Sequence, residues 1–367
     1  MIFDQAFSFQ SLLDAHRKCR RSKQHKKDVI NFEIMLGEKL VKLSADILAG
    51  DYETGRYKKF MIFDPKKREI EALFYTDRVV LMALSVGIIE PLCERKLIHD
   101  NVACRKNKGT LFGTRRIEKH LKTYYQQQGK DGYALKCDIS KFFQSINHTV
   151  LIAKLQRMGF DERTISLMTK IIRAKESSPD TGLPIGNQTS QWFALIYLDD
   201  LDRFIKEKLR IKFYVRYMDD FILVHHDKEY LKHCKREIEK FAQDRLVLRL
   251  NKKTQIVQLK NGIDFIGFRH VLCDGGKVLR LLRGQAKVRM KKQIRKLAKA
   301  KATAKTRADK DFIAQSLNSL RAHIMHSNAR HLFYLECKKR FANDPQYGMI
   351  CNHDKHKDRQ RNRIDNP

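Results

Sequence analysis

Two adjacent acids interrupt an apolar stretch in Phe213-Tyr-Val-Arg-Tyr-Met-Asp-Asp-Phe-Ile-Leu-Val224. The runs flanking Tyr217-Met-Asp-Asp220 predict two short strands, with Asp219 and Asp220 at the tip of a compact hairpin. Burying one carboxylate beside another is costly unless cations compensate. A pair of divalent ions would compensate, and two such ions suit an in-line displacement at phosphorus. That chemistry calls for a carboxylate from a second strand, and Asp138 meets the need. In Tyr133-Ala-Leu-Lys-Cys-Asp-Ile139, alternation puts Leu135, Cys137 and Ile139 on one face. Asp138 then projects from the other face, where an adjacent hairpin can present its two acids. The plainer alternative is that Asp138 ends a strand and Asp219-Asp220 make a turn, a common place for Asp.

Asp199-Asp200 is a second acid pair and serves as a control. It falls in an amphipathic helix predicted from Ser190 to Leu209, with the stripe Phe193, Ile196, Tyr197, Leu201, Phe204 and Ile205. Adjacent helical positions point about 100° apart, so the two acids do not converge on one ion. The pattern assigns Asp199 and Asp202 to a solvated face, with Asp200 at its border.

Other elements must hold these strands in place. Residues 1 to 50 read as helix, from Phe32, Leu36, Leu40, Leu43 and Ile47 at three- and four-residue steps. A strand-like pattern from Tyr57 to Ile70 is broken by the cationic turn Asp64-Pro65-Lys66-Lys67. Val79 to Leu92 reads as an apolar helix, and Arg105 to Gly109 as a basic loop entering another helix. Leu151 to Lys175 reads as helix, Ser177 to Gly182 as a loop and Ile263 to Phe268 as a strand. Beyond residue 280 the chain reads as helical and basic, with Arg283, Lys287, Arg289, Lys291, Lys292, Arg295 and Lys296 in one run. Helices, a mixed middle and helices again predict an α+β fold with a small antiparallel sheet.

Composition narrows the partner. The 367 residues are 42% apolar, which fits a globular chain rather than a disordered one. Lys and Arg number 75 against 42 Asp and Glu, a formal net charge of +33 that calls for a polyanion. Nucleic acid and an anionic membrane are the two candidates. A spanning helix needs about 20 apolar residues, and the best run, Val79 to Ile89, is about half that. Asp4 and Gln5 interrupt the first apolar stretch, so no signal peptide is read there. Nucleic acid therefore leads, with no membrane. The eight cysteines are scattered without a C-x-x-C pair, as expected of reduced thiols in the cytoplasm. Cys351, His353 and His356 lack an evident fourth ligand and read as a polar tail rather than a zinc site.

Tyr217-Met-Asp-Asp220 after a strand, with Asp138-Ile-Ser-Lys-Phe-Phe143 upstream, resembles the palm of a reverse transcriptase. Lys66-Lys-Arg-Glu-Ile70 followed by Asp77-Arg-Val-Val80 resembles the fingers. Cys104-Arg-Lys-Asn-Lys-Gly-Thr110 resembles the segment that holds template and primer. Leu250-Asn-Lys-Lys-Thr254 and Phe265-Ile-Gly-Phe268 resemble the later palm strand and the primer grip. The resemblance implies a right-hand polymerase: an N-terminal helical segment (1–55), fingers with part of the palm (56–132), palm with a fingers insertion near 150–182 (133–275), a basic helical thumb (276–340) and a polar tail (341–367).

The resemblance also implies roles. Asp138, Asp219 and Asp220, with the Ile139 carbonyl, would bind two Mg²⁺ ions. Phe143 would sit under the sugar and exclude a 2′-hydroxyl. Lys66 and Arg68 would neutralise the incoming triphosphate, and Ile185, Gly186 and Gln191 would line the nucleotide. Lys253 is a candidate proton donor to pyrophosphate, with Lys252 equally near the pattern. Arg78, Arg105, Lys106, Lys108, Gly109, Phe265, Gly267, Arg283 and Lys287 would hold template and primer. The alternative for the lysines is a solvated basic face. Binding along the thumb is expected to fall steeply with salt.

Residues 182 to 191, Gly-Leu-Pro-Ile-Gly-Asn-Gln-Thr-Ser-Gln, depart from most of the family. Most reverse transcriptases have Gln in place of Ile185, and many bacterial ones have Ser-Pro in place of Ser190-Gln191. The form here resembles the enzymes of diversity-generating retroelements, which copy a template RNA with errors concentrated at adenines. An amide there can hydrogen-bond, whereas Ile185 offers only shape, so mismatch rejection should weaken. The resemblance implies as partners the template RNA, the RNA/cDNA duplex, deoxynucleotides and the accessory variability determinant, a small basic homo-oligomer. Residues beyond 340 resemble no endonuclease, maturase, protease or RNase H domain, so priming and target cutting are expected to involve other molecules. A retron- or group II intron-like enzyme and a non-catalytic RNA-binding protein of the same fold are the alternatives.

Overall fold

The computed structural model describes residues 2–63, 67–174 and 180–341, together with 344, 347 and 350. The tail cluster of Cys351, His353 and His356 lies outside the described residues. The chain divides into two compact units: Met1–Ile117 with Tyr133–Ile256, and Glu118–Gly132 with Val257–Pro367. Only the cut at 132 coincides with a sequence-derived boundary. The α+β class is as expected, with many helices and small antiparallel sheets.

In the first unit, β1 (Lys58–Ile62) and β2 (Arg68–Ala72) form an antiparallel ribbon. A second sheet contains β3 (Tyr133–Cys137), β4 (Phe213–Tyr217), β5 (Asp220–His225) and β6 (Gln255–Gln258), in the order β4-β5-β3-β6. β5 pairs antiparallel with both neighbours. Its run Phe221 to Val224 is buried throughout, as a continuous apolar strand covered on both faces should be. The helix Lys228–Leu246 packs through Leu231, Cys234, Ile238, Ala242 and Leu246, a four-residue rhythm. The Asp227 carboxylate caps it, accepting from the Glu229 and Tyr230 amides.

Several expected elements are subdivided. Residues 1–50 form four helices, Ile2–Ala6, Phe9–Cys19, Lys27–Ile34 and Leu36–Ala49. The helix expected over 151–175 breaks into His148–Arg157 and Glu162–Arg173. Gly159 supplies a left-handed residue (φ +81°) between them, and Asp161 caps the second by accepting from the Thr164 amide. The helix expected over 190–209 divides into Gln188–Tyr197 and Asp199–Arg203, followed by a wider π turn, Phe204–Lys208.

In the second unit, β7 (Ile263–Phe265), β8 (Phe268–Leu272) and β9 (Val278–Leu282) form an antiparallel sheet. The single strand expected over 263–268 is thus a hairpin: Ile266 and Gly267 both have positive φ (43° and 85°), the two-residue type I′ signature. The basic helix begins at Gly284, after β9. It packs with Arg307–Ile324 and Arg330–Phe341 around Ile294, Leu317, Phe333 and Cys337. Glu118 accepts from Arg280 at 2.6 and 2.7 Å, and Lys130 pairs with Asp274 at 2.7 Å. Among the described residues no helix is long and apolar enough to cross a membrane.

Candidate active site

Tyr217 pairs with Asp220, leaving Met218 and Asp219 as a two-residue turn. Met218 has φ +55° and Asp219 does not share the positive φ, which is the type II′ pattern. A bulky residue in that region is strained and is held there by its surroundings. The acids stand at the half-buried tip of an otherwise buried hairpin.

β3 delivers the third acid as its alternation requires. Leu135, Cys137 and Ile139 are buried, while Lys136 and Asp138 are half-exposed on the other face. Cys137 lies opposite Phe221, so continuing the register by one residue sets Asp138 opposite Asp220. The Asn251 amide donates to the Asp138 carbonyl at 2.7 Å, and the Ser140 amide to the Arg249 carbonyl at 2.9 Å. These bonds flank the antiparallel Ile139–Leu250 bridge, which leaves the Ile139 carbonyl pointing to the other edge.

The three carboxylates are under-compensated. Burial, opposed mainly by Lys136, pushes the Asp220 carboxyl up to about 6, with the charges of Asp138 and Asp219 adding to the rise. Burial also raises Asp219, with Asp138 pushing the same way and Arg216 and Arg68 pulling against it. Lys136 Nζ stands 3.5 Å from Asp220 Oδ2, whereas Asp220 Oδ1 is buried with no hydrogen-bond partner. That orphaned oxygen on a crowded anionic face fits a divalent cation. Among the described residues, no three His, Cys, Asp or Glu side chains are drawn in tightly enough to enclose an ion. Lys136 is the cation in contact with Asp220.

The expected nucleotide-lining residues lie on a short helix (Phe143), on β2 (Arg68), on the loop carrying Ile185 and Gly186, and at the start of the helix Gln188–Tyr197 (Gln191), with backbone bonds joining the first three. The Leu183 amide donates to the Phe143 carbonyl at 2.7 Å, and the Glu71 amide to the Ile185 carbonyl at 3.1 Å. Gly186 has φ +134°, and a Cβ there would stand 3.1 Å from the Glu71 oxygen, so glycine alone fits without strain. Phe143 and Ile185 are half-buried, and Gln191 is exposed. Arg68 is exposed on β2, within electrostatic reach of Asp219; Lys66 lies outside the described residues. Lys252 and Lys253 are both exposed, beside Asn251.

The basic loop corrects one expectation. Arg105 is 4% exposed and does not face a template: it pairs with Glu94 at 2.9 Å and donates to the carbonyls of Glu94, Leu97, Ile98 and Asn101. It is the post around which residues 104–109 wrap. Gly109 (φ +118°) closes the loop by donating to the Val102 carbonyl. Lys106 is exposed. Lys108 donates to the His99 carbonyl, and burial together with Arg105 lowers its pKa to about 8. Arg78 is half-buried and donates to the Leu73 carbonyl. In the second unit the Phe265 ring is buried, a core group under the hairpin, while Gly267 forms the tip in open space. Arg283 is exposed and precedes the basic helix, and Lys287 is half-exposed on it.

The control pair corrects another. Asp202 is wholly buried rather than solvated: the Arg216 guanidinium grips it at 2.6 Å through two nitrogens, and Tyr214 donates to it at 2.6 Å. Asp199 is 15% exposed and pairs with Arg203 at 2.9 Å. Asp200 contacts Lys154 and Arg157. Arg216 was legible as an oddity, since a charge inside an apolar strand needs a buried partner.

A family model described as reverse transcriptase (RNA-dependent DNA polymerase) matches residues 72–270, just over half the chain, and all three aspartates fall inside it. The chain belongs to the reverse transcriptase family, whose members are RNA-directed DNA polymerases and hence nucleotidyltransferases. Protein YkfC of Escherichia coli (strain K12) is 23% identical over 275 residues, covering 64% of this chain and 71% of YkfC. Apo telomerase from Candida tropicalis, truncated from its C-terminal domain, is similar at 15% identity and TM-score 0.49, over 61% of this chain and 55% of that one. Telomerase from Candida albicans, solved with a TWJ fragment of telomeric RNA, is similar at 11% identity and TM-score 0.48, over 82% of this chain and 64% of that one. This chain spans less than two thirds of either telomerase chain.

Proposed function

We propose that this chain is the RNA-directed DNA polymerase of a diversity-generating retroelement, making adenine-mutagenised cDNA from a template-repeat RNA. The observation that carries the chemistry is the partnerless Asp220 oxygen beside Asp138 and Asp219. Asp138, Asp219, Asp220 and the Ile139 carbonyl would hold two Mg²⁺ ions, which when bound supply Lewis acidity at phosphorus and offset the triphosphate charge. Arg68, with Lys66, neutralises the incoming triphosphate, and the Phe143 ring selects against a 2′-hydroxyl. Lys253 offers a proton to the departing pyrophosphate. In this reading 56–132 are fingers, 133–275 palm and 276–340 thumb, with Lys106, Lys108, Gly267, Arg283 and Lys287 along template and primer.

Support for the mutagenic subtype comes from Ile185. Its carbonyl is taken by the Glu71 amide and its side chain is hydrocarbon, so the side chain offers no hydrogen bond at this position. A loop without a hydrogen-bonding group there discriminates weakly between matched and mismatched pairs. The partners are template RNA, the RNA/cDNA duplex, deoxynucleotides and the accessory variability determinant protein, in the cytoplasm of a bacterium or of a phage-infected cell. The test is deep sequencing of cDNA made by the purified chain on a defined RNA with Mg²⁺. Errors concentrated opposite adenine support the subtype; uniformly faithful cDNA keeps the reverse transcriptase and overturns the subtype.

A further inference from the structure

Among the described residues Arg216 is the bulkiest of the wholly buried side chains, and it lies one residue before the Tyr217-Met-Asp-Asp220 tip. Four of its five N–H donors are accounted for. Nε and one terminal nitrogen grip the two Asp202 oxygens at 2.6 Å each. That same nitrogen reaches the Leu195 carbonyl at 3.3 Å, and the other donates to the Met218 carbonyl at 3.0 Å. Asp202 is in turn fixed by the Tyr214 hydroxyl and by its place on the helix Asp199–Arg203. The Arg216 backbone is held as well, donating to the Asp100 carbonyl and accepting from the Val102 amide, both at 2.9 Å.

The Met218 carbonyl belongs to the central peptide of the type II′ turn. Flipping that peptide would convert the turn to type I′ and force Asp219 to positive φ. The direction of the Asp219 side chain follows the choice between these two states. A buried ion pair is a poor source of net stability, since apolar replacements of similar volume are often neutral or stabilising. A fully desolvated arginine that donates to the central carbonyl of this turn therefore calls for a reason other than stability.

We infer that Arg216, oriented by Asp202 and Tyr214, is a positioning residue that locks the central peptide of the turn and so aims Asp219 at the reacting phosphate. The inference rests on the proposed role of Asp219 and Asp220. Arg216 and Asp202 touch neither nucleotide nor ion; they act through the Met218–Asp219 peptide.

The double replacement Arg216→Met with Asp202→Leu removes both charges together, so neither is left buried alone. In the purified full chain, folding and RNA/DNA duplex binding are retained. The rate constant for single-nucleotide addition falls about 100-fold, as a 1 Å misplacement would cause, while KM for the nucleotide stays unchanged. Mn²⁺ binding without nucleotide, read by electron paramagnetic resonance, weakens about tenfold. A folded double variant with wild-type rate and Mn²⁺ affinity overturns the positioning role. Asp219→Ala in the same assay separates the positioning role from the metal-site reading beneath it. Loss of synthesis leaves the two-acid site standing, and persistence of synthesis overturns that site itself. If the double variant does not fold, Asp202→Asn replaces it. A roughly tenfold fall in rate at constant KM then supports the role, and an unchanged rate overturns it.

Discussion

The chain carries two clusters of closely spaced aspartates, and their surroundings could hardly differ more. Asp199, Asp200 and Asp202 are answered by Arg203, by Lys154 with Arg157, and by Arg216. Asp219 and Asp220 are half-buried, yet the only cation in contact with them among the described residues is Lys136. Each acid of the first cluster has a cation in contact with it, although Asp199 Oδ1, like Asp220 Oδ1, is buried without a partner; the second cluster has one cation for two acids. Composition alone does not separate them, because the distinction lies in what the rest of the fold brings to each.

Breaking either cluster should have opposite consequences. Asp219→Ala is expected to abolish primer extension, by at least about 1,000-fold, with RNA binding and its salt dependence intact. Extension surviving at near wild-type rate would remove Asp219 from the chemistry. Asp202→Ala should instead cost about 3–5 kcal/mol of stability, because it strands a buried guanidinium. A chemical denaturation midpoint equal to wild type would show that Arg216 finds another partner.

Asp220→Asn sharpens the contrast through pH. The Asp220 carboxyl rises from its ordinary 3.8 to about 6 in the folded chain. The folded state therefore holds more protons than the unfolded state between these values, and stability falls as pH rises through that window. The Asn variant escapes that loss and should be more stable at pH 7 by about 2 kcal/mol, though inactive, with the gain vanishing below about pH 4. Thermal melts of both proteins across pH 4 to 7 read this directly, and parallel curves would refute it. The smallest effect belongs to Asp199→Asn. It loses a pair with a half-exposed arginine, and is expected to change stability by less than about 1 kcal/mol and synthesis not at all.

The hairpin and the face of Asp138 were readable from sequence because alternation and a short apolar run are local signals. Asp202 and Arg105 were not, and for one reason. A helix-face rule sends acids to solvent, and a cationic loop suggests a polyanion, unless a counter-charge arrives from elsewhere in the fold. Arg216 lies fourteen residues beyond Asp202, and Glu94 eleven before Arg105. The same limit applies to the breaks inside long apolar runs. Gly159 advertises one of them, whereas the division at Leu198 has no local marker and comes from packing.

The second unit is assembled from segments far apart in the chain, and that has a cost during synthesis. Glu118 waits for Arg280, 162 residues later, and Lys130 waits for Asp274, 144 residues later. A ribosome adding about 5–20 residues per second leaves the end of the helix Thr110–Gln128 without these partners for on the order of ten seconds. Throughout that interval the end of this helix stands without the partners that later fix it, until translation delivers β9.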